Sequence, residues 1–197
     1  MPLYDVQHIC PLTAQQQDDL AEAITVIHSQ KFTTPRMFVN VKFTDNTLPN
    51  APTTYVAGKR RAGNHIFANV RVGPSRTQKD WNNLTNEIVE AWNRVVPMPV
   101  DKRNGHSAGK GVDYELRACI LLGGMIGGYE AGFLIPKAGE DVQWMKDNWE
   151  EFQMKAQSGD ELFAEMVEEI QTRGLLEGAG KSGKEKLEEA LGWGDSA

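Results

Sequence analysis

Apolar and polar positions alternate along the first stretch of the chain. In residues 3–9, Tyr4, Val6 and His8 fall on one side, and Leu3, Asp5, Gln7 and Ile9 on the other. A period of two predicts a half-buried β-strand. The period then changes. Leu20, Ile24, Ile27 and His28 recur at helical spacing and predict an amphipathic helix from about Thr13 to about Lys31. Thr13 with Gln16 has the form of a capping box. Pro35 punctuates, and RMFVNVKFTD (36–45) predicts a second strand.

The pattern repeats. NHIFANVRVG (64–73) predicts a strand. SRTQKDWNNLTNEIVEAWNRVV (75–96) predicts a helix with Trp81, Leu84, Ile88, Val89, Trp92 and Val95 on its apolar stripe. DYELRACILLGG (113–124) predicts a last core strand. The intervening VPMPVDKRNGHSAGKGV (96–112) is rich in Pro, Gly and charge and reads as a loop. Two β-α-β units in tandem imply an α/β (α+β) fold with a four-stranded sheet and two helices on one face. Helical crossovers of this length permit parallel pairs with right-handed connections.

After Pro136 the composition shifts to acidic amphipathic helices. Their stripes are Val142/Met145/Trp149/Phe152 and Leu162/Phe163/Met166/Val167/Ile170. A Gly/Lys segment, EGAGKSGKEK, precedes a last short helix. The expected division is a β-α-β domain over 2–136 and a helical extension over 137–197. A piece of that size buries little core alone, so the extension is expected to pack on the core or on a neighbouring subunit.

Composition narrows the function. The chain has 197 residues, 40% hydrophobic, with net charge −6. An acidic balance without a basic stripe argues against nucleic acid. The longest near-apolar run, ACILLGGMIGGY, is short and broken by four glycines, well below the roughly 18–20 apolar residues of a membrane span. The N-terminus has no signal-peptide pattern. Cys10 and Cys119 form no disulfide framework. A cytoplasmic protein is expected.

Two motifs fail on context. GHSAG (105–109) has the G-x-S-x-G form, but His8, His28, His65 and His106 all precede Ser107, against the hydrolase order. GAGKS (178–182) lacks the earlier glycine and the strand of a P-loop. The histidines and cysteines show no metal-ligand spacing, so no metal site is expected.

Pro2 carries the chemistry of interest. Removal of Met1 would leave a free secondary amine at the head of a strand. An α-amino group has an ordinary pKa near 8. An apolar pocket lowers it toward neutrality, making the amine a general base, and neighbouring carboxylates raise it, making it a general acid. Alone, Pro2 also suits an ordinary strand start, His28 a core histidine, and Glu130 a surface charge on a turn.

Together these residues resemble the tautomerase superfamily, in particular its cis-3-chloroacrylic acid dehalogenase-like branch. The likeness covers roughly 2–136. It rests on PLY at the N-terminus, His28 in ITVIH, Arg71 in IFANVRVG and Glu130 in YEAGFLIP, in that order. The resemblance implies a catalytic set of Pro2, His28, Arg71 and Glu130. Arg71 would bind a substrate carboxylate, with Arg76, Cys119 and Tyr129 as further substrate-binding candidates. It also implies no cofactor and a homotrimer. Two positions depart from the family pattern: Pro74 stands where a second arginine is expected, and Cys119 where a water-activating tyrosine is expected.

The leading expectation is an enzyme tautomerising a small unsaturated or 2-oxo carboxylate. The alternatives are a cofactor-free hydratase or dehalogenase of 3-substituted acrylates or a decarboxylase of a 3-oxo acid, and a non-catalytic trimeric module whose acidic tail binds a partner.

Overall fold

The computed structural model describes residues 2–96 and 112–177. Almost all of the loop over 96–112, with GHSAG, lies outside the described residues, as do GAGKS and the final helix. The described chain forms two compact units that divide between Gly139 and Glu140.

The first unit opens with β1 (Leu3–His8), followed by α1 (Ala14–Phe32) and β2 (Asn40–Asp45). A two-residue hairpin follows, β3 (Tyr55–Val56) with β4 (Lys59–Arg60). Then come β5 (Asn64–Asn69), α2 (Gln78–Val95) and β6 (Leu116–Leu122), and a second short hairpin, β7 (Tyr129–Glu130) with β8 (Phe133–Leu134). The main sheet has the order β2-β1-β5-β6. Its outer pairs are parallel and the central pair is antiparallel. The two β-α-β units therefore lie head to tail. The starts of β1 and β2 and the ends of β5 and β6 share one end of the sheet.

Alternation decides which face is covered. Tyr4, Val6, Ile66 and Ala68 are fully buried and join Leu20 and Ile24 of α1 and Leu84, Ile88, Ala91 and Trp92 of α2 in one core cluster. Each fully buried large apolar side chain contributes about 1.5–3 kcal/mol. Both helices start at capping boxes, Thr13 with Gln16 and Thr77 with Asp80. Thr33 ends α1 in the left-handed conformation, φ 54°.

The second strand is shorter than its sequence pattern predicts. Residues Arg36–Phe38 form a 3-10 turn, because the extended backbone of Pro35 leads into a tight turn that buries Phe38. Both short hairpins turn on Ala-Gly pairs with positive φ, Ala57–Gly58 and Ala131–Gly132. Gly132, at φ 102°, occupies backbone space that side chains disfavour.

The second unit contains α3 (Asp141–Asp147), α4 (Trp149–Gln157) and α5 (Glu161–Arg173). Its buried residues include Met145, Phe152, Phe163, Met166 and Ile170. Asp160 caps α5 by accepting the Phe163 N–H. Among the described residues no helix is long and apolar enough to cross a membrane.

Candidate active site

Pro2 is buried at the head of β1. Its carbonyl accepts the Asn40 N–H at 3.1 Å, so β2 starts beside it. Leu3 pairs with Asn69. One further step in that antiparallel register brings Pro2 opposite Val70, next to Arg71. Sheet topology thus gathers residues that are far apart in sequence.

Glu130 reaches the same end of the sheet. Its Oε1 accepts a hydrogen bond from Asn40 Nδ2 at 3.1 Å. Asn40 therefore joins the proline strand to the glutamate hairpin through its backbone and its side chain. The sequence reading missed Asn40. The signal was present: in a parallel β-α-β unit, a polar residue opening the second strand lies beside the first residue of the first.

Two positions beyond Pro2, Tyr4 occupies the same, helix-covered face. Tyr4 Oη and His28 Nδ1 share a hydrogen bond at 2.8 Å, both side chains being almost fully buried. Burial, reinforced by the charges of Arg76 and Arg71, pushes His28 down to about 3. Burial, with a smaller contribution from Cys119, pushes the Tyr4 phenol far above its ordinary value, against the opposing charge of Arg76. Near neutral pH this is a pair of uncharged groups. His28 can accept or donate a hydrogen bond but does not act as an imidazolium acid.

Arg71 and Arg76 follow β5 and are both nearly buried. Arg71 Nη1 donates to the carbonyls of Pro136 at 2.6 Å and Lys137 at 3.2 Å. Arg76 Nη1 donates to the Arg71 carbonyl at 2.8 Å. The Arg76 guanidinium lies 4.2 Å above the Phe32 ring and 5.9 Å from the Trp81 ring. Phe32 in turn packs 4.9 Å from the His28 ring.

The remaining candidates stand differently. Cys119 pairs with Ile66 and faces the core, half-buried, and burial pushes its thiol up to about 11. It is a thiol, not a thiolate, near neutrality. Tyr129 is 70% exposed on β7, because strand alternation turns it away from the side that Glu130 takes. The structure does not bring Tyr129 into the buried cluster. A cleft of about 350 Å³ lies between α2 and β6, lined by Val70, Trp81, Cys119 and Leu121 among others. Neither this cleft nor one of about 230 Å³ by the 46–63 loop is lined by Pro2, His28, Arg71 or Glu130. Among the described residues no group of three or more His, Cys, Asp or Glu is placed to hold a metal ion.

Residues 1–149 match the sequence profile of the family described as "Putative oxalocrotonate tautomerase enzyme". The chain belongs to this family. The tautomerase-family match runs past Gly139 and leaves 150–197 outside it. Among solved structures, the chain is similar to N1, a member of the cis-3-chloroacrylic acid dehalogenase family. Identity is 20%, with 83% of this chain and 99% of that chain covered and a TM-score of 0.55. That likeness shows the fold. The chain is also similar to a probable enzyme from the thermophilic fungus Aspergillus fumigatus, at 18% identity, 75% and 94% coverage and a TM-score of 0.49. No curated protein matches the chain.

Proposed function

We propose that this tautomerase-family chain interconverts the enol and keto forms of a small 2-oxo carboxylate, using Pro2 as the proton carrier once Met1 is removed. The observation that carries the reading is the buried Pro2 at the head of β1, joined through Asn40 to Glu130 and beside Arg71 in register. Burial favours the neutral amine, which accepts a proton at working pH. The amine takes the enol hydroxyl proton and delivers a proton to C3, so that O–H and C=C become C=O and C–H with no net loss or gain of atoms. Arg71 binds the carboxylate, for which a guanidinium fork is matched. Neutral His28, held by Tyr4, hydrogen-bonds the substrate oxygen through its other ring nitrogen. Glu130, fixed by Asn40, orients the proline amine.

Hydration and dehalogenation have weaker support. They need a group that activates water, and a protonated thiol such as that of Cys119 is a poor hydrogen-bond donor.

Assembly as a homotrimer belongs to the same proposal. Leu3, Ile120 and Leu122 lie on the sheet face away from the helices and are each about two-fifths exposed, an apolar surface suited to association.

Mass spectrometry and one assay test the reading. Denatured mass should show loss of Met1, and native mass three copies. The native protein should ketonise phenylenolpyruvate, and Pro2→Ala should lose about 100-fold or more, at or above the lower end of the range for general acid–base groups. Retained Met1, or equal rates for both proteins, sinks the catalytic proline.

A further inference from the structure

Arg76 shares the site with Arg71, and the simplest expectation is a second carboxylate-binding arginine. Its contacts point elsewhere. The guanidinium donates to the Arg71 backbone carbonyl at 2.8 Å. Its central carbon lies over the Phe32 ring at 4.2 Å, with the Trp81 ring at 5.9 Å. Trp81 packs 5.1 Å from Phe32, and Phe32 packs 4.9 Å from His28. One cation thus spans three elements: the segment after β5, the last turn of α1 and the first turn of α2. It is 9% exposed. A buried guanidinium of this kind is held by its stack and its hydrogen bonds together.

We infer that Arg76 is a positioning residue. It clamps the Arg71 main chain and the Phe32 ring, and so fixes the guanidinium that receives the substrate carboxylate and the imidazole that faces the substrate oxygen. Arg76 does not touch substrate. This deepens the tautomerase reading and rests on it for the roles of Arg71 and His28.

The titratable and charged groups acting on His28 are Tyr4 from β1, Arg71 and Arg76 from the segment after β5, and the N-terminal amine. Arg76 is the largest of the three cationic influences on the imidazole. Its removal should ease protonation of His28, while Lys at the same place keeps both the charge and one donor.

The test compares native protein, Arg76→Lys and Arg76→Met by two readouts. The first is kcat and KM for phenylenolpyruvate. The second is the His28 ring resonance followed through an acid titration, assigned with His28→Leu. Arg76→Met should lower kcat about tenfold to 100-fold, the scale of small misplacements in a site. It should also shift the His28 resonance at neutral pH and move its titration to higher pH. Arg76→Lys should remain close to native in both. A KM effect alone, with kcat and the His28 resonance unchanged, would show direct carboxylate binding and overturn the inference. Equal damage in Lys and Met variants would overturn it too. If native protein shows no ketonisation, the tautomerase reading falls, and the resonance still decides whether Arg76 holds His28.

Discussion

The two β-α-β halves start alike and part at one position. Leu20, Ile24 and His28 stand as far beyond the capping Thr13 as Leu84, Ile88 and Trp92 stand beyond the capping Thr77. The first two pairs are fully buried apolar residues that play the same part in both halves. The third pair differs in kind. Trp92 fills the core and spends its one donor on the Tyr114 carbonyl at 3.0 Å. His28 puts a titratable ring at the matching place and bonds it to Tyr4 at 2.8 Å. One helix closes the core with an indole, and the other closes it with a buried titratable ring. A polar, titratable group can thus take a buried apolar position of a repeated scaffold, provided a partner satisfies it.

Substitutions at the divergent pair should separate these roles. The largest effect belongs to Trp92→Ala, which leaves a core cavity and should cost about 3–5 kcal/mol. Urea unfolding measures it. A cost under about 1 kcal/mol would mean that α2 does not depend on Trp92 as its burial indicates.

The next effect sharpens the His28 side. His28→Leu leaves the Tyr4 hydroxyl buried without its partner, which costs about 1–3 kcal/mol. Adding Tyr4→Phe removes the second polar group, so the double variant should regain most of that stability while ketonisation stays low. Simple additivity in the double-mutant cycle would show that the two groups are not coupled. The pH dependence follows the same logic. The imidazole binds a proton at about 3 in the fold and near 6.5 when unfolded. Between those values the unfolded chain binds more protons, so stability falls as pH drops from about 6.5 toward 3. Above that window the contribution is fully present. His28→Leu should show a shallower decline in melting temperature between pH 7 and pH 5 than the native protein.

The smallest effects should be equal in the two halves. Thr13→Ala and Thr77→Ala each remove one capping box and should each cost about 1 kcal/mol. Thermal melts that differ widely between them would show that the helix starts are not equivalent. Acid adds one asymmetry. Hydrogen bonds from Thr77 hold Asp80 below its ordinary range, so that cap weakens as pH falls through the Asp80 pKa. Gln16 has no charge to lose.

Much of the fold was legible in the sequence, because the residues concerned decide their own conformation. Alternation in 3–9 and the helical spacing of Leu20, Ile24 and His28 gave β1 and α1 close to their observed bounds. Local signals failed where one residue type suits two conformations. RMF reads as strand by composition, yet turns after Pro35. The Ala-Gly hairpins passed unnoticed, because alanine is an uncommon residue at positive φ.

The candidate site was legible only as a set of residues. Pro2, His28, Arg71 and Glu130 could be named from order and resemblance, because residue type carries chemical capacity. Sequence could not say which groups would meet. The parallel pairing of β1 with β2 placed Asn40 between Pro2 and Glu130. Strand alternation turned Tyr129 outward. Burial kept His28 neutral and Cys119 a thiol, and the stack on Phe32 drew Arg76 away from the surface. The sequence by itself determined the long strands and helices, the apolar faces and the chemical types available, since these follow from each residue and its near neighbours. Tertiary structure decided partners, protonation and exposure, because each depends on groups brought together from distant parts of the chain.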